Sequence, residues 1–214
     1  MTQSLSMQLK RAAFGAALSF AAASASATLV FSDNFNANNF STIWTVTGGN
    51  VDVGSYSLCN NGTAGICVDT EGTGPDANAT FHLTAPIPSL VAGDYSFAFD
   101  WGNNDGTDHP AGVGINVLDW KVTSGSTVLA SGSVNSGSVP DFIYQNAAFS
   151  FSLASAVTNA VIRFDQTGAE GDWGGTVIDN VTLNLTNAYA VPAPGAVLLF
   201  GLGLLGMRLS RARR

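Results

Sequence analysis

Apolar and polar positions alternate with period two over much of this chain. Tyr95-Ser96-Phe97-Ala98-Phe99, Val113-Gly114-Ile115-Asn116-Val117, Phe149-Ser150-Phe151-Ser152-Leu153 and Val177-Ile178-Asp179-Asn180-Val181-Thr182-Leu183 all follow it. Successive side chains on a strand point to opposite faces, so this period, carried by Val, Ile, Thr and aromatics, predicts half-buried strands. No apolar stripe of helical period reaches a useful length. Turn chemistry separates the runs at Gly48-Gly49-Asn50, Asn60-Asn61-Gly62, Gly72-Thr73-Gly74-Pro75, Val91-Ala92-Gly93-Asp94 and Ser124-Gly125-Ser126. About ten or eleven strands are expected. Parallel neighbours need crossovers of about a dozen residues or more, usually helical, so few parallel pairs fit. The expected fold is all-β, an antiparallel two-sheet β-sandwich of jelly-roll type.

The two ends break the alternation. Lys10 and Arg11 precede an apolar stretch from Ala12 to Ala23, which closes on Ala25-Ser26-Ala27. A basic region, a short apolar region and a small-x-small site together read as a secretory signal peptide, cleaved between Ala27 and Thr28. At the other end, Ala196 to Met207 is apolar, and the run reaches 17 residues if taken back to Val191. Crossing a bilayer takes roughly 17–25 residues, so this is a marginal transmembrane helix. Gly201, Gly203 and Gly206 weaken its helix propensity further. Arg208, Arg211, Arg213 and Arg214 would stop transfer and stay on the cytoplasmic side. The chain therefore divides into a signal peptide (1–27), one β-sandwich domain (28–190) and a C-terminal sorting or anchoring segment (191–214).

Charge sharpens this division. The whole chain has 8 Lys and Arg against 15 Asp and Glu, a formal charge of −7. Only Lys121 and Arg163 lie between Thr28 and Ala190, together with all 15 acids, so the body carries −13. No basic stripe exists to neutralise phosphates, which excludes nucleic acid as a partner. Such acidity suits a structural calcium ion or plain solubility.

Cys59 and Cys67 are the only cysteines, and an even count in an exported chain predicts a disulfide closing a small loop. Two sulfurs with the distant His82 and His109 do not make a zinc site. Three acidic clusters carry the candidate chemistry. Asp100 to His109 is rich in oxygen ligands, but it fails the EF-hand spacing, since with Gly106 in the glycine position the first ligand falls on Trp101 and the twelfth on Gly112. Asp33 and Asp179 lie on the first and last strands, which are expected side by side, and could share a calcium ion. Trp101 with Asp105 and Asp108, and Trp173 beside Glu170 and Asp172, pair an indole with carboxylates, a pattern that suits sugar rings, although sandwich cores use Trp as well. Enzyme signatures are missing: there is no Gly-x-Ser-x-Gly elbow, no His-Glu-x-x-His and no Walker loop. The two glutamates, Glu71 and Glu170, both stand in Gly-rich turns.

The C-terminal segment resembles the PEP-CTERM sorting signals, in the branch that begins Val-Pro-x-Pro. The match is Val191-Pro192-Ala193-Pro194, then Leu199-Phe200-Gly201 and Gly203-Leu204-Leu205-Gly206, then the Arg cluster. It implies export from a Gram-negative cell, transient holding at the inner membrane and processing by an exosortase, after which the body reaches the cell surface or extracellular matrix. Such proteins accompany exopolysaccharide and biofilm. The body resembles galactose-binding-like sandwiches at Phe31-Ser32-Asp33-Asn34-Phe35, at Tyr95 to Trp101 and at Gly174 to Leu183, a likeness of fold rather than activity. Taken together, the expectation is a non-catalytic exported surface or matrix protein associated with polysaccharide, with signal peptidase and exosortase as export partners. The rivals are an extracellular glycan hydrolase using acids of the 100–109 or 170–179 segments, and a permanently anchored envelope protein.

Overall fold

The structure is a computed structural model that describes residues 27–37, 39–54, 59, 65–72, 78–104, 116–136, 139, 143–168 and 175–189. The signal peptide before Ala27 and the sorting segment from 191 onward lie outside the described residues. Among the described residues no helix is long and apolar enough to cross a membrane.

Among the described residues there are twelve strands: β1 (Thr28–Asp33), β2 (Trp44–Gly48), β3 (Asp52–Gly54), β4 (Cys67–Asp69), β5 (Thr80–Leu83), β6 (Ile87–Leu90), β7 (Gly93–Asn103), β8 (Val117–Ser124), β9 (Thr127–Asn135), β10 (Gln145–Leu153), β11 (Val157–Thr167) and β12 (Thr176–Ala188). One short helix, α1 (Phe40–Ile43), was not expected from the periodicity, because four residues are too few to show one. Of the alternating run at 113–117, Val117 opens β8, and residues 113–115 lie outside the described residues.

The strands form two antiparallel sheets, β10-β7-β12-β4-β3 with β1 also on β12, and β2-β5-β11-β8-β9 with β6 also on β11. The two-sheet β-sandwich is therefore the observed fold. Each sheet has one long strand whose edge is divided between two short ones. β12 gives Val177 and Ile178 to β4 and its later residues to β1. β11 gives residues 163–165 to β5 and 157–160 to β6. Thr28 pairs with Leu185, so the first strand and the end of the last leave the sandwich at the same end.

Alternation places Tyr95, Phe97, Phe99 and Trp101 of β7 inward, where they share one core with Phe81, Trp120, Ile162 and Phe164 of the other sheet. Aromatic centroids stand 4.8 Å apart for Phe97–Trp120 and 5.4 Å for Phe99–Phe164, within the range of favourable ring pairs. Each such ring removed from water contributes roughly 1.5–3 kcal/mol. Trp120 lies opposite Gly132 on the edge strand β9, and a Cβ at that glycine would stand 2.9 Å from the indole. Glycine leaves room there for the ring to cover the edge.

β12 carries one irregularity that shapes the site. Asp179 opposes Asp100 and Thr182 opposes Ala98, so Asn180 and Val181 together face one residue of β7. Asn180 takes a left-handed φ of 52°, a conformation that Asn tolerates better than most side chains. The bulge leaves Val177 and Asp179 on the outer face and returns Val181 and Leu183 to the core.

Candidate functional site

Antiparallel register decides which side chains share a face. On the outer face of the first sheet, Ala148, Ala98, Thr182 and Ser32 follow one another across β10, β7, β12 and β1. Asn146, Asp100 and Asp179 form the row on one side, and Ser150, Ser96 and Asn184 the row on the other. Neighbouring strands lie about 4.8 Å apart, so the row of small residues spans roughly 14 Å. This strip of small methyl and hydroxyl side chains, the trough, crosses the strands with Asn146, Asp100 and Asp179 along one side and Ser150, Ser96 and Asn184 along the other.

Asp100 organises one wall. Its Oδ1 accepts from Asn146 Nδ2 and its Oδ2 from Asn180 Nδ2, both at 2.9 Å. Asp179 Oδ1 accepts the Asn180 backbone N–H at 2.7 Å, so the bulge itself aims the Asn180 amide along the wall. Past β12 the trough opens into a concavity of about 470 Å³ lined by Ser32, Asn34, Asn39, Asn180 and Thr182, among others. The Asn39 Oδ1 in that lining is buried without a hydrogen-bond partner. Ligand sites commonly occupy concavities of about 300–1,000 Å³. Toward the opposite end of β7, Tyr189, Ser152 and Asn187 donate to Asp94 and hold its carboxyl below the usual range.

A second acidic group lies beyond Asp179 on the same face. Asp69 opposes Val177 on one side and Asp52 on the other, and only 4% of it is exposed. Burial pushes its carboxyl up to about 6, against hydrogen bonds from Glu71 and Asn104, with the nearby Asp52 adding to the rise and Gly175 opposing it. Close to it, Val177 packs with Tyr144 and with Cys59 and Cys67, which are joined as a disulfide. Burial raises the Tyr144 hydroxyl above the usual tyrosine range, and the carboxylates of Asp179, Asp100 and Asp69 raise it further.

The predicted site residues fare differently. The Cys59–Cys67 disulfide is present. The first and last strands do pair, but they do not bring Asp33 and Asp179 together as a calcium pair. Asp33 opposes Val181 and points into the core, where its carboxylate accepts from Trp44 and Phe35, whereas Asp179 stands on the outer side of the bulge. Among the described residues no group of three His, Cys, Asp or Glu could hold a metal ion. Trp101 is a core residue opposite Ile178, 8% exposed, so it offers no ring face to a sugar. Asp105, Asp108, Glu170 and Trp173 lie outside the described residues. The residues flanking those segments meet, since the Asn104 N–H donates to the Gly175 carbonyl at 3.2 Å. The trough residues Ala98, Asn146, Ala148 and Asn180 were not predicted. Their one signal was the outward half of each alternation, filled with small or uncharged polar side chains.

No family model matches the chain, and no curated protein does. Among solved structures it is similar to the carbohydrate-binding module TmCBM61, solved with β-1,4-galactotriose, with TM-score 0.45 and 20% identity over 71% of this chain and 97% of that one. A CBM35 from Paenibacillus barcinonensis has TM-score 0.41 and 18% identity over 72% and 97%. The CBM22-2 xylan-binding domain of Xyn10C from the same organism has TM-score 0.45 and 12% identity over 73% and 99%. Likeness at this level leaves the ligand of this chain to be argued from its own residues.

Proposed function

We propose that this chain is a non-catalytic, exported surface or matrix protein whose β-sandwich binds an extracellular polysaccharide along the trough of the first sheet. The observation that carries the reading is the row Ala148–Ala98–Thr182–Ser32, walled by Asn146, Asp100 and Asn180 and ending in a polar concavity. A polymer of linked sugar rings needs an open, elongated floor with many donors and acceptors, and these positions supply both. Asn146 and Asn180 each spend one N–H on Asp100, and each amide has a second N–H and an oxygen to offer a ligand.

Export and sorting complete the proposal. The N-terminal signal directs secretion, and the Val191–Pro194 motif, apolar run and Arg cluster direct transient membrane holding and exosortase processing. Tyr189 leaves β12 at the end where Thr28 enters β1, so a body tethered through its C-terminus keeps the sheet face to the side and open.

Affinity electrophoresis of the full-length chain through gels containing soluble polysaccharides tests the binding, beside an assay for released sugars. Retardation without sugar release is the expected result. Sugar release that tracks the protein would replace this reading with a hydrolase. Intact mass of material from the medium tests the sorting: it should begin at Thr28 and lack Arg208 to Arg214. A mass that retains those arginines would leave a permanent anchor instead.

A further inference from the structure

We infer that the trough selects uncharged polysaccharides and rejects anionic ones, a step that rests on the trough being the polysaccharide contact. The body has two cations, Lys121 on β8 and Arg163 on β11, and both stand on the second sheet. Both are also spent on one acid there. Lys121 Nζ lies 2.9 Å from Asp165 Oδ2, and Arg163 Nη2 lies 2.6 Å from Asp165 Oδ1. The trough on the first sheet therefore has carboxylates at Asp100 and Asp179 along one wall, with Asp94 beyond the other, and no cation to offset them.

A sugar hydroxyl resting against Asp100 donates to a carboxylate, the stronger kind of hydrogen bond. A uronate, sulfate or phosphate in the same place has no proton to give and meets like charge. At about 6 Å in water each like-charge pair weakens binding by roughly threefold, so two carboxylates make about a tenfold difference. Nothing in the walls reverses that sign, because Asn146, Asn180, Ser96, Ser150 and Asn184 are all neutral.

The test uses the full-length chain with a soluble glucan, mannan and galactan, each beside the same polymer after partial oxidation of its primary hydroxyls to carboxylates. A chelator is present so that no divalent cation bridges the charges. Neutral polymers should bind, and their oxidised forms should bind about tenfold more weakly at low salt. The gap should close near 1 M salt, where screening acts over about 3 Å. Asp100→Asn should narrow the gap to about threefold, and Ala98→Trp should abolish binding of the neutral polymers. Oxidised forms that bind as well as their parents at low salt would overturn the selectivity and leave the trough standing. Binding that survives Ala98→Trp, or no binding by any polymer, would remove the trough itself and the selectivity with it.

Discussion

Asp33 and Trp44 join the two sheets through the core. Asp33 Oδ2 accepts the indole Nε1–H at 2.7 Å, and Oδ1 accepts the backbone N–H of Phe35 at 2.8 Å. Only 7% of Asp33 and 1% of Trp44 are exposed, so this is a buried carboxylate with both oxygens in use. It sits where β1 ends and the chain turns toward α1 and the second sheet.

Trp44→Phe keeps an aromatic ring among Phe40, Phe81 and Phe164 but removes the donor. A buried charged acceptor then loses its partner, at a cost of about 2–3 kcal/mol. Urea unfolding should show that loss as a lower midpoint with an unchanged slope. An unchanged midpoint would mean that the indole contributes only its ring.

Asp69 gives the stability a pH dependence. Its carboxyl titrates at about 6 in the fold against 3.8 ordinarily, so the folded state takes up a proton that the unfolded chain refuses between those values. The sign is that stability rises as pH falls from about 7 toward 4, by at most about 3 kcal/mol. Asp69→Asn should flatten that window in thermal melts taken between pH 4 and 7. Asp165 acts oppositely: burial raises its carboxyl, but Arg163, Lys121 and Thr80 outweigh that and hold it below the usual range, so its contribution fades only in stronger acid.

The Cys59–Cys67 disulfide, whose two cysteines pack against Val177, closes a short loop. Chain-entropy arguments give about 2–3 kcal/mol for a loop this size. The double variant Cys59→Ser/Cys67→Ser should lose that amount by urea unfolding, and adding reductant to the parent should reproduce it. A reductant-insensitive parent would contradict the assignment.

Ala98 faces outward at the middle of the trough floor. Ala98→Trp should leave the melting temperature nearly unchanged, since outward substitutions away from caps and buried partners usually act within about 0.5 kcal/mol. It should nevertheless remove polysaccharide retardation, because the ring fills the floor. Equal losses of stability and binding would point to unfolding instead.

Gly132 has no space for a side chain. Gly132→Ala places a methyl 2.9 Å from the Trp120 indole, and overpacking of this kind costs about 1–3 kcal/mol. Trp fluorescence and unfolding together should report a displaced, less stable indole.

The alternations at Tyr95–Phe99, Phe149–Leu153 and Val177–Leu183 were enough to predict strands, their inward aromatics and the antiparallel sandwich, because period two is a local property of the backbone. The cysteine count was enough to predict the disulfide. The site was far less legible. Trp101 looked like a sugar platform beside its acids, but its position in the alternation of β7 sends it inward. Asp33 and Asp179 fell on neighbouring strands as expected, yet the bulge at Asn180 puts them on opposite faces, and a single αL residue leaves no periodic trace. Ala148, Ala98, Thr182 and Ser32 come from four separated stretches of chain. Their alignment depends on the register between strands, which long-range pairing sets and no single segment contains. Sequence alone thus determined where the strands run and, where the alternation is unbroken, which face is buried, since that follows from hydrophobicity residue by residue. The tertiary structure alone decided which outward residues stand together, since neighbours across a sheet are chosen by the packing of the whole.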